Sequence, residues 1–384
     1  MCYTVWENRE EAFPPMRHRD RVEMALAHEE PDRPPFQASF TPEFAARLRR
    51  ELNLPHPDPD HRHDPHNGRW NGYDLELATD QDALQCSVGW VTSYYLHDEP
   101  FTDEWGIEWA VKSYETPFGV GRYTEMKRHP LAGDAAVATY QPPDPHRPAL
   151  YANLERLIRE HKDEHYIIGR LHCTIFESAW ALRGFQQMLL DFLLDPALTH
   201  EILEITYRYH KAVACEMAQR GVDMIWLGDD MGAQKNMLIS PATWRAFFKG
   251  RMADIIAEAK RIAPRVTIAY HSDGAIYQII PDLIEMGVDV LNPIQCDSMD
   301  PARLKREYGD RLSFFGAIDV QNTLPFGTPE SVAAEVRARR ATIGAGGGWI
   351  CAPTHHVQLD TPLENFRALV EAATGLPLRA RRGA

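Results

Sequence analysis

The sequence has few cysteines, and they form no recognisable ligand or disulfide pattern. Six are spread over 384 residues without a CxxC pair, so neither a disulfide framework nor a four-thiolate zinc site is indicated. The chain also lacks an apolar run near the roughly 20 residues that a membrane span requires, and its first residues lack the apolar core of a signal peptide. We therefore expect a cytoplasmic protein without membrane contact.

Runs of Lys and Arg are missing as well. Lys and Arg total 41 against 55 Asp and Glu, a formal net charge of −14. A surface of that sign repels phosphate backbones and anionic lipids, so nucleic acid is a poor partner, and a small-molecule substrate or another protein is a better one. The 44% of hydrophobic and 25% of charged residues are typical of a globular protein, which excludes disorder, collagen and coiled coil.

The second half of the chain alternates short Val/Ile-rich runs with helical segments, which predicts parallel strands separated by helices. The predicted strands are Tyr166–Leu171, Asp223–Leu227, Val266–Tyr270, Val288–Pro293, Leu312–Ala317 and Gly348–Ala352. Four helix starts combine a capping oxygen with a following proline: Ser240-Pro241, Asp300-Pro301, Thr328-Pro329 and Thr361-Pro362. At the last of these, Glu364 would complete a capping box.

The first half is less regular. A first strand is predicted at Pro35–Phe40, and aromatic and polar residues alternate over Thr102–Thr124, which predicts an antiparallel ribbon. His56, His61, His63 and His66 lie in a segment rich in Pro and Asp, whose composition favours a solvated loop over a metal tract. We predict a (β/α)8 TIM barrel, a single domain over 1–384 with an N-terminal helical extension (1–34) and a loop and β-ribbon insertion (about 55–145).

Polar residues just beyond the strand ends are the candidate site residues, because the active site of such a barrel lies at the carboxyl ends of its strands. They are Glu177, Asp229, Asp230, His271, Asp273, Gln295, Asp319, His355 and His356. Closure of the barrel would bring Asp230, His271, Asp273 and His355 together, where they could hold a metal or move a proton. The alternatives are structural, since carboxylates at strand ends often cap helices and a lone histidine is more often a hydrogen-bonding residue than a ligand.

Several of these segments resemble the uroporphyrinogen decarboxylase superfamily. The resemblance is carried by Arg17–Pro34, Phe176–Gly184, Gly228–Gly232, His271–Gly274 and Ala352–His355. It implies a (β/α)8 barrel and one of two chemistries: cofactor-free decarboxylation of a tetrapyrrole, or zinc-dependent methyl transfer to or from a corrinoid carried by a partner protein. Members of the family are often dimers, so the resemblance also implies a homodimer.

Two differences from the motifs of the family indicate which of the two reactions to expect. True uroporphyrinogen decarboxylases carry arginines after the first strand that pair with substrate carboxylates, whereas the corresponding stretch here, Gln37–Glu43, has none. The methyltransferases of the family hold zinc through His-x-Cys and a further Cys. Alignment to those positions retains His271, puts Asp273 at the first Cys and places His355 near the second. This harder ligand set suits an oxygen-bearing substrate, or a metal other than zinc, better than a thiol.

The leading expectation is a corrinoid-linked methyltransferase of the O-demethylase type, which takes the methyl group from a small methoxylated substrate. Zinc or another divalent metal would be held by His271, Asp273 and His355, and Asp230, His271 and His355 would be the catalytic residues. Substrate contacts are expected from the remaining strand-end residues: Glu177, Asp229, Gln295, Asp319 and His356. The alternatives are a metal-free decarboxylase of a small acid, and a non-catalytic protein that binds a corrinoid or tetrapyrrole among aromatic residues such as Trp90, Tyr94, Trp105 and Trp226.

Overall fold

The computed structural model describes residues 16–55, 73–88 and 101–378. Its strands, in chain order, are β1 (Ala83–Ser87), β2 (Phe101–Thr102), β3 (Glu108–Thr116), β4 (Gly119–Arg128), β5 (Tyr166–Arg170), β6 (Met224–Gly228), β7 (Thr267–His271), β8 (Val290–Asn292), β9 (Ser313–Ile318) and β10 (Trp349–Pro353). Seven of them form one curled parallel sheet in the order β1-β5-β6-β7-β8-β9-β10. All six strands predicted in the second half are present, with ends shifted by one or two residues.

The sequence prediction missed β1 and overstated the first strand. β1 lies inside the range 55–145 assigned to an insertion, yet it pairs with β5 in the parallel sheet. Its sequence, Ala-Leu-Gln-Cys-Ser, lacks the β-branched residues that mark a buried strand. The segment Pro35–Phe40 makes only isolated bridges, Phe36 to Cys351 and Phe40 to Val357.

That segment nevertheless occupies the gap between the two edge strands. The carbonyl of Phe36 accepts a hydrogen bond from the Asp82 amide just before β1, while the amide of Gln37 donates to the carbonyl of Cys351 in β10. Contacts to both edges bring β1 and β10 towards one another, so the sheet curls in the manner of a TIM barrel. The polar ends of the sheet strands therefore face one common mouth.

The predicted ribbon is observed as a separate three-stranded antiparallel sheet, β2-β3-β4. Its strands extend to Arg128, four residues past the predicted end. Trp109 of β3 and Trp105 just before that strand are buried, and Trp105 packs edge-on against Tyr209. Trp105 thus belongs to the core, not to the mouth that the third functional alternative requires; Trp90 and Tyr94 lie outside the described residues.

Helices surround the parallel sheet. They are α1 (His18–Leu26), α2 (Pro42–Glu51), α3 (Asp74–Ala78), α4 (Asp134–Val137), α5 (Ala152–His161), α6 (Phe176–Arg183), α7 (Phe185–Leu194), α8 (Pro196–Arg220), α9 (Pro241–Trp244), α10 (Gly250–Ile262), α11 (Ile280–Met286), α12 (Pro301–Tyr308), α13 (Thr323–Phe326), α14 (Pro329–Ala341) and α15 (Leu363–Thr374). No helix in the described ranges combines the length and the apolar character needed to cross a lipid bilayer.

Three of the four predicted helix starts are confirmed. The side chains of Ser240, Asp300 and Thr328 each accept a hydrogen bond from a backbone amide of the first turn. The fourth was wrong: α15 begins at Leu363 with Pro362 at its N-cap, and no side chain caps it. Thr361 is buried, and with Pro362 already at the N-cap its side chain lies one residue too early for the predicted capping box.

The inside of the curled sheet is lined by alternate residues of each strand, as the period of two requires. Tyr166 and Ile168 of β5, Met224 and Trp226 of β6, and Ala269 of β7 belong to this interior cluster. The next inward positions at the carboxyl ends of the strands are polar or small: Arg170, Gly228, His271 and Asn292. At the opposite end, Val22 of α1 packs into the same cluster, so α1 covers the amino ends of the strands.

A buried ionic cluster holds α1 in place. Asp82, which is 0% exposed, accepts hydrogen bonds from Arg21 (2.6 Å), Arg33 (2.6 Å), His18 (2.8 Å) and the Phe36 amide (2.7 Å). Although burial opposes ionisation, these donors and cations hold the pKa of Asp82 below its usual value. The Arg17–Pro34 segment, one of those that carry the family resemblance, therefore serves the amino end of the sheet and not the mouth.

Candidate metal site

Three of the four side chains predicted to converge do lie together at the mouth. Nε2 of His271 lies 3.5 Å from Oδ1 of Asp230 and 4.0 Å from Oδ1 of Asp273, and one ligand atom from each residue falls within 4.8 Å of the other two. The fourth, His355, is exposed and outside this group. The metal set suggested by the alignment therefore changes in the structure: Asp230 stands with His271 and Asp273 where His355 was expected.

Two glycines allow the loops that carry the carboxylates to touch. A Cβ on Gly232 would lie 2.4 Å from the Asp273 carbonyl oxygen, and a Cβ on Gly274 would lie 2.5 Å from the Gly232 carbonyl carbon. Gly274 also has a φ of +75°, which favours glycine. The close approach lets the Asp273 amide donate to Oδ1 of Asp230 at 2.8 Å, so the backbone of one loop orients the carboxylate of the other.

His271 is oriented by a hydrogen-bond relay behind it. The amide nitrogen of Asn292 donates to the Phe315 carbonyl at 2.8 Å, which leaves Oδ1 of Asn292 to face Nδ1 of His271 at 2.5 Å. Because Oδ1 is an acceptor, Nδ1 is the ring nitrogen that donates to it, and Nε2 is left as the possible ligand atom on the side of Asp230 and Asp273. Metal-binding histidines are commonly fixed in this way by an acceptor on the second nitrogen.

Asn292→Ala is expected to weaken metal binding about 10–100-fold, because the imidazole loses the acceptor that sets its tautomer. Asn292→Asp is the comparison: it keeps an oxygen facing Nδ1 but loses the amide that donates to the Phe315 carbonyl, so it should retain more of the affinity than Asn292→Ala. Titration of metal into the metal-free variants measures both dissociation constants. Equal weakening in the two variants would show that the relay has no role in orienting His271.

The side chain of Asp273 has an oxygen without a hydrogen-bond partner. Its Oδ1 is buried and unpaired, an arrangement that costs free energy unless a cation or another donor satisfies it. Burial, together with the negative charge of Asp230, raises the pKa of Asp273 to about 6, although His271 acts in the opposite direction. An imidazole lone pair and carboxylate oxygens form a donor set that divalent metals accept, so the residues fit a metal ion.

Asp229 has a structural position instead of a place in the mouth. It is 0% exposed, and its carboxylate accepts hydrogen bonds at 3.0 Å from the amides of Ile175 and Glu177 at the start of α6. Burial raises the pKa of Asp229 to about 7 despite these bonds. The capping role considered from the sequence is observed, but the capped helix follows β5, whereas Asp229 itself lies directly after β6. This places the carboxylate out of reach of a substrate.

Glu177 joins the group through Asp230. Its Oε2 accepts a hydrogen bond from the Asp230 amide at 3.3 Å. Burial and the charges of Asp230 and Asp229 raise the pKa of Glu177 well above its usual value. Glu177 therefore lies beside the group formed by Asp230, His271 and Asp273, the candidate metal-ligand group.

The other predicted substrate contacts are engaged in local structure. Gln295 accepts a hydrogen bond from the Gly274 amide at 2.8 Å and so supports the Asp273 loop. Asp319 accepts from the amide of Gln321 and the side chain of Asn322. His356 is 9% exposed and shares a 2.7 Å hydrogen bond with Ser39. The histidines of the 56–66 loop lie outside the described residues.

Two functional candidates at the mouth were not selected from the sequence. Arg170 ends β5 and was included in the predicted strand Tyr166–Leu171 without a role of its own, although a charged residue within a buried strand was a usable signal. Trp226 was considered only as a lining aromatic residue, yet its ring lies 5.7 Å from the His271 ring with the planes inclined by 29°.

The side chains of Asp230, His271 and Asp273 lie at the carboxyl ends of the strands of a curled parallel sheet. Enzymes of the TIM-barrel type have their active sites in this position. Residues 115–376 match the family model described as uroporphyrinogen decarboxylase (URO-D). Since this is more than half of the chain, the protein belongs to the uroporphyrinogen decarboxylase family, and the resemblance found in the sequence is confirmed.

Relatives of both chemistries match at similar levels. The chain is 29% identical over 175 residues to a methylcobamide:CoM methyltransferase MtaA of Methanosarcina barkeri, covering 46% of this chain and 48% of the relative. It is 26% identical over 208 residues to a methylated-thiol–coenzyme M methyltransferase of Methanosarcina mazei, covering 53% and 52%. It is also 26% identical over 215 residues to a uroporphyrinogen decarboxylase of Nitrosospira multiformis, covering 55% and 56%. The chain thus spans about half the length of these curated relatives.

A solved structure supports the fold. A methyltransferase from Methanosarcina mazei superposes with a TM-score of 0.70 at 19% identity, over 94% of this chain and 99% of that one. At that identity the likeness bears on the fold alone, and it agrees with the curled parallel sheet of this chain.

Proposed function

We propose that the protein is a metal-dependent methyltransferase that transfers the methyl group of a small methyl ether to a corrinoid on a partner protein. The observation that carries the proposal is the group of Asp230, His271 and Asp273, whose ligand atoms lie within 4.8 Å of one another and include an Asp273 oxygen without a hydrogen-bond partner. Its methyltransferase relatives, whose names include methylcobamide and coenzyme M, support the reaction class.

The roles of the residues follow from their positions. Asp230, His271 and Asp273 would hold zinc or another divalent ion, which when bound supplies a Lewis acid for the ether oxygen. Asn292 keeps the His271 lone pair directed at that position, and Gly232 and Gly274 keep the two carboxylates close enough to share one ion. The partner's reduced corrinoid would supply the electron pair for the new bond to the methyl group, and the ether oxygen would leave with the electron pair of the broken bond and take up a proton to give an alcohol or phenol.

An ether suits this site better than a thioether. Carboxylate and imidazole ligands leave a bound metal harder than thiolate ligands do, and a harder ion prefers oxygen to sulfur. Cys173 lies outside the group whose ligand atoms come together, and burial and the charge of Glu177 raise the pKa of its thiol well above the usual value.

The test combines metal analysis with a methyl-transfer assay. Protein loaded with zinc, and in parallel with manganese, cobalt or iron(II), is expected to retain about one ion per chain and to form methylcobalamin from a methyl ether when free reduced cobalamin is the acceptor. A chelator should abolish both results. Absence of stoichiometric metal under every loading condition, together with no transfer from any ether, would rule the proposal out.

A second candidate, decarboxylation of a small acid, is favoured by the 26% identity to a uroporphyrinogen decarboxylase. The absence of arginine from Gln37–Glu43 argues against a substrate with many carboxylates. Release of carbon dioxide that persists in the presence of a chelator would identify this activity. Stoichiometric corrinoid binding without any turnover would instead support the accessory, non-catalytic alternative.

A further inference from the structure

A cavity of about 300 Å³ lies at the end of the sheet opposite to the metal-ligand group. Its lining includes Thr267, Val290 and Ser313, which are the first residues of β7, β8 and β9. The cavity therefore lies at the amino ends of these strands, whereas the active site of a barrel of this kind lies at the carboxyl ends. A ligand bound here would not be the substrate of the metal site.

The lining of this cavity carries more positive than negative charge. Lys260, Arg265 and Arg311 contribute three cations, and Asp289 is the one carboxylate among the lining residues that the structure describes. Both oxygens of Asp289 are engaged, because Oδ1 accepts a hydrogen bond from Lys260 at 2.9 Å and Oδ2 accepts one from the Ile268 amide at 2.8 Å. The local excess of cations is opposite in sign to the net charge of −14 of the whole chain.

The two arginines of the lining retain donors for a ligand. Arg265 is exposed and has no hydrogen-bond or ion-pair partner among the described residues. Arg311 uses Nε to contact Asp310 at 3.3 Å and Nη2 to contact the Glu307 carbonyl at 3.1 Å. A guanidinium has five N–H groups, so these two contacts leave Arg311 with further donors.

The neighbouring helix ends explain some of the cations but not Arg265. Lys260 lies in the last turn of α10, and Arg311 donates to a carbonyl of the last turn of α12, positions at which a cation offsets the negative end of a helix. Arg265 lies beyond Ile262, the last residue of α10, and the effect of a helix end falls off within its last turn. Arg265 therefore needs another explanation.

His28 responds to the same positive charge. It also lines the cavity. Burial and the charge of Lys305 lower the pKa of His28, against the opposite effect of Asp310. An anion bound beside the imidazole would favour its charged form and raise this pKa. His28 thus offers a measurable signal of binding within the cavity.

We propose that this cavity binds the phosphate monoester of a small alcohol as a stabilising ligand. Such an ester carries a charge of about −1.5 to −2 at pH 7, which Arg265 and Arg311 together can balance. Guanidinium groups bind phosphate oxygens through paired hydrogen bonds. The hydroxyl-bearing Thr267 and Ser313 in the lining suit a polar alcohol part. The volume equals that of roughly ten water molecules at about 30 Å³ each, which limits the alcohol to a few carbon atoms.

The test is calorimetry on the full-length protein at low ionic strength with sn-glycerol 3-phosphate, glycerol and inorganic phosphate as probes. The wild type is expected to bind the ester at least about 10-fold more tightly than either of the other two. Arg265→Gln should weaken ester binding at least about 10-fold, and Arg311→Gln should weaken it as well. Arg337→Gln, at an exposed arginine of α14 outside the cavity lining, is the matched control and should bind as the wild type does.

Equal binding of the ester and glycerol, or unchanged ester binding by Arg265→Gln, would overturn the inference. Inorganic phosphate that binds as tightly as the ester would show a site for the free ion and reject the ester. The pKa of His28, followed by NMR, should rise when the ester is added, and a constant value would place the ligand elsewhere. If melting curves show that Arg265→Gln is unfolded, Arg311→Gln and the three wild-type measurements still decide the question. None of these measurements requires methyl transfer, so the outcome is separate from the proposed function.

Discussion

Replacing His271 by Ala is expected to abolish metal uptake and lower methyl transfer by more than about 100-fold, while the protein stays folded. The loss should exceed the 10–100-fold typical of residues that only orient a ligand, because Nε2 of His271 is itself one of three donor atoms. Folding should be little affected, since a partly exposed side chain at the mouth contributes little to the core.

The measurement is metal content after loading and dialysis, with activity and a thermal melt on the same samples. Asp319→Asn is the matched control, because Asp319 is also a strand-end carboxylate but is engaged with Gln321 and Asn322 and lies outside the metal-ligand group. It should keep both metal and activity. Unfolding of His271→Ala, or full metal retention, would contradict the assignment of His271 as a ligand.

Asp82→Ala is expected to lower the free energy of unfolding by about 3–5 kcal/mol, the usual cost of removing one member of a buried ion pair. The change removes the fully buried one of the two carboxylates that pair with Arg21 at 2.6 Å, the other being Asp32, and it removes the acceptor for the Phe36 amide. It therefore loosens both α1 and the segment that bridges β10 and β1. Urea unfolding monitored by circular dichroism measures the effect.

The neighbouring carboxylate provides the control. Asp80 also pairs with Arg33 but is 30% exposed, so Asp80→Ala should cost less than about 1 kcal/mol. Similar costs for Asp80→Ala and Asp82→Ala would show that burial of the cluster adds nothing to its contribution.

Lowering the pH should remove the stabilisation that the charge of Asp82 provides. The pKa of Asp82 is lower in the folded protein than in the unfolded chain, so its ionisation stabilises the fold at pH values above the unfolded pKa of about 3.9. That contribution is lost as the pH falls towards the folded pKa. The stability difference between the wild type and Asp82→Asn should therefore shrink below about pH 4; a constant difference would show that the charge of Asp82 does not contribute.

Local signals predicted much of the fold. Ser240, Asp300 and Thr328 cap helices where the sequence indicated, because a capping oxygen and a proline act within a single turn. Segments that depend on distant partners were predicted less well. β1 has little strand propensity of its own and is held by pairing with β5, while Pro35–Phe40 has the composition of a strand but forms only isolated bridges.

The site also has features that the sequence predicted and features that depend on distant contacts. The polar residues at the ends of the predicted strands, including Asp230, His271 and Asp273, could be read from the sequence because parallel strands present their carboxyl ends at one edge. Which of them share a space could not, since it depends on how far each loop folds back over the mouth. Contact between Gly232 and Gly274 draws Asp273 towards Asp230, whereas His355 remains exposed in its own loop.

The sequence by itself determined the parallel α/β class, the family and the set of polar strand ends, because these depend on local periodicity and on short motifs. Only the tertiary structure decided that Asp229 caps α6, that Asp230 lies with His271 and Asp273 while His355 does not, and that Asn292 contacts the His271 ring. Those outcomes depend on hydrogen bonds and packing between strands and loops that are far apart in the chain. A sequence pattern does not give the distance between such groups. The curl of the sheet sets that distance.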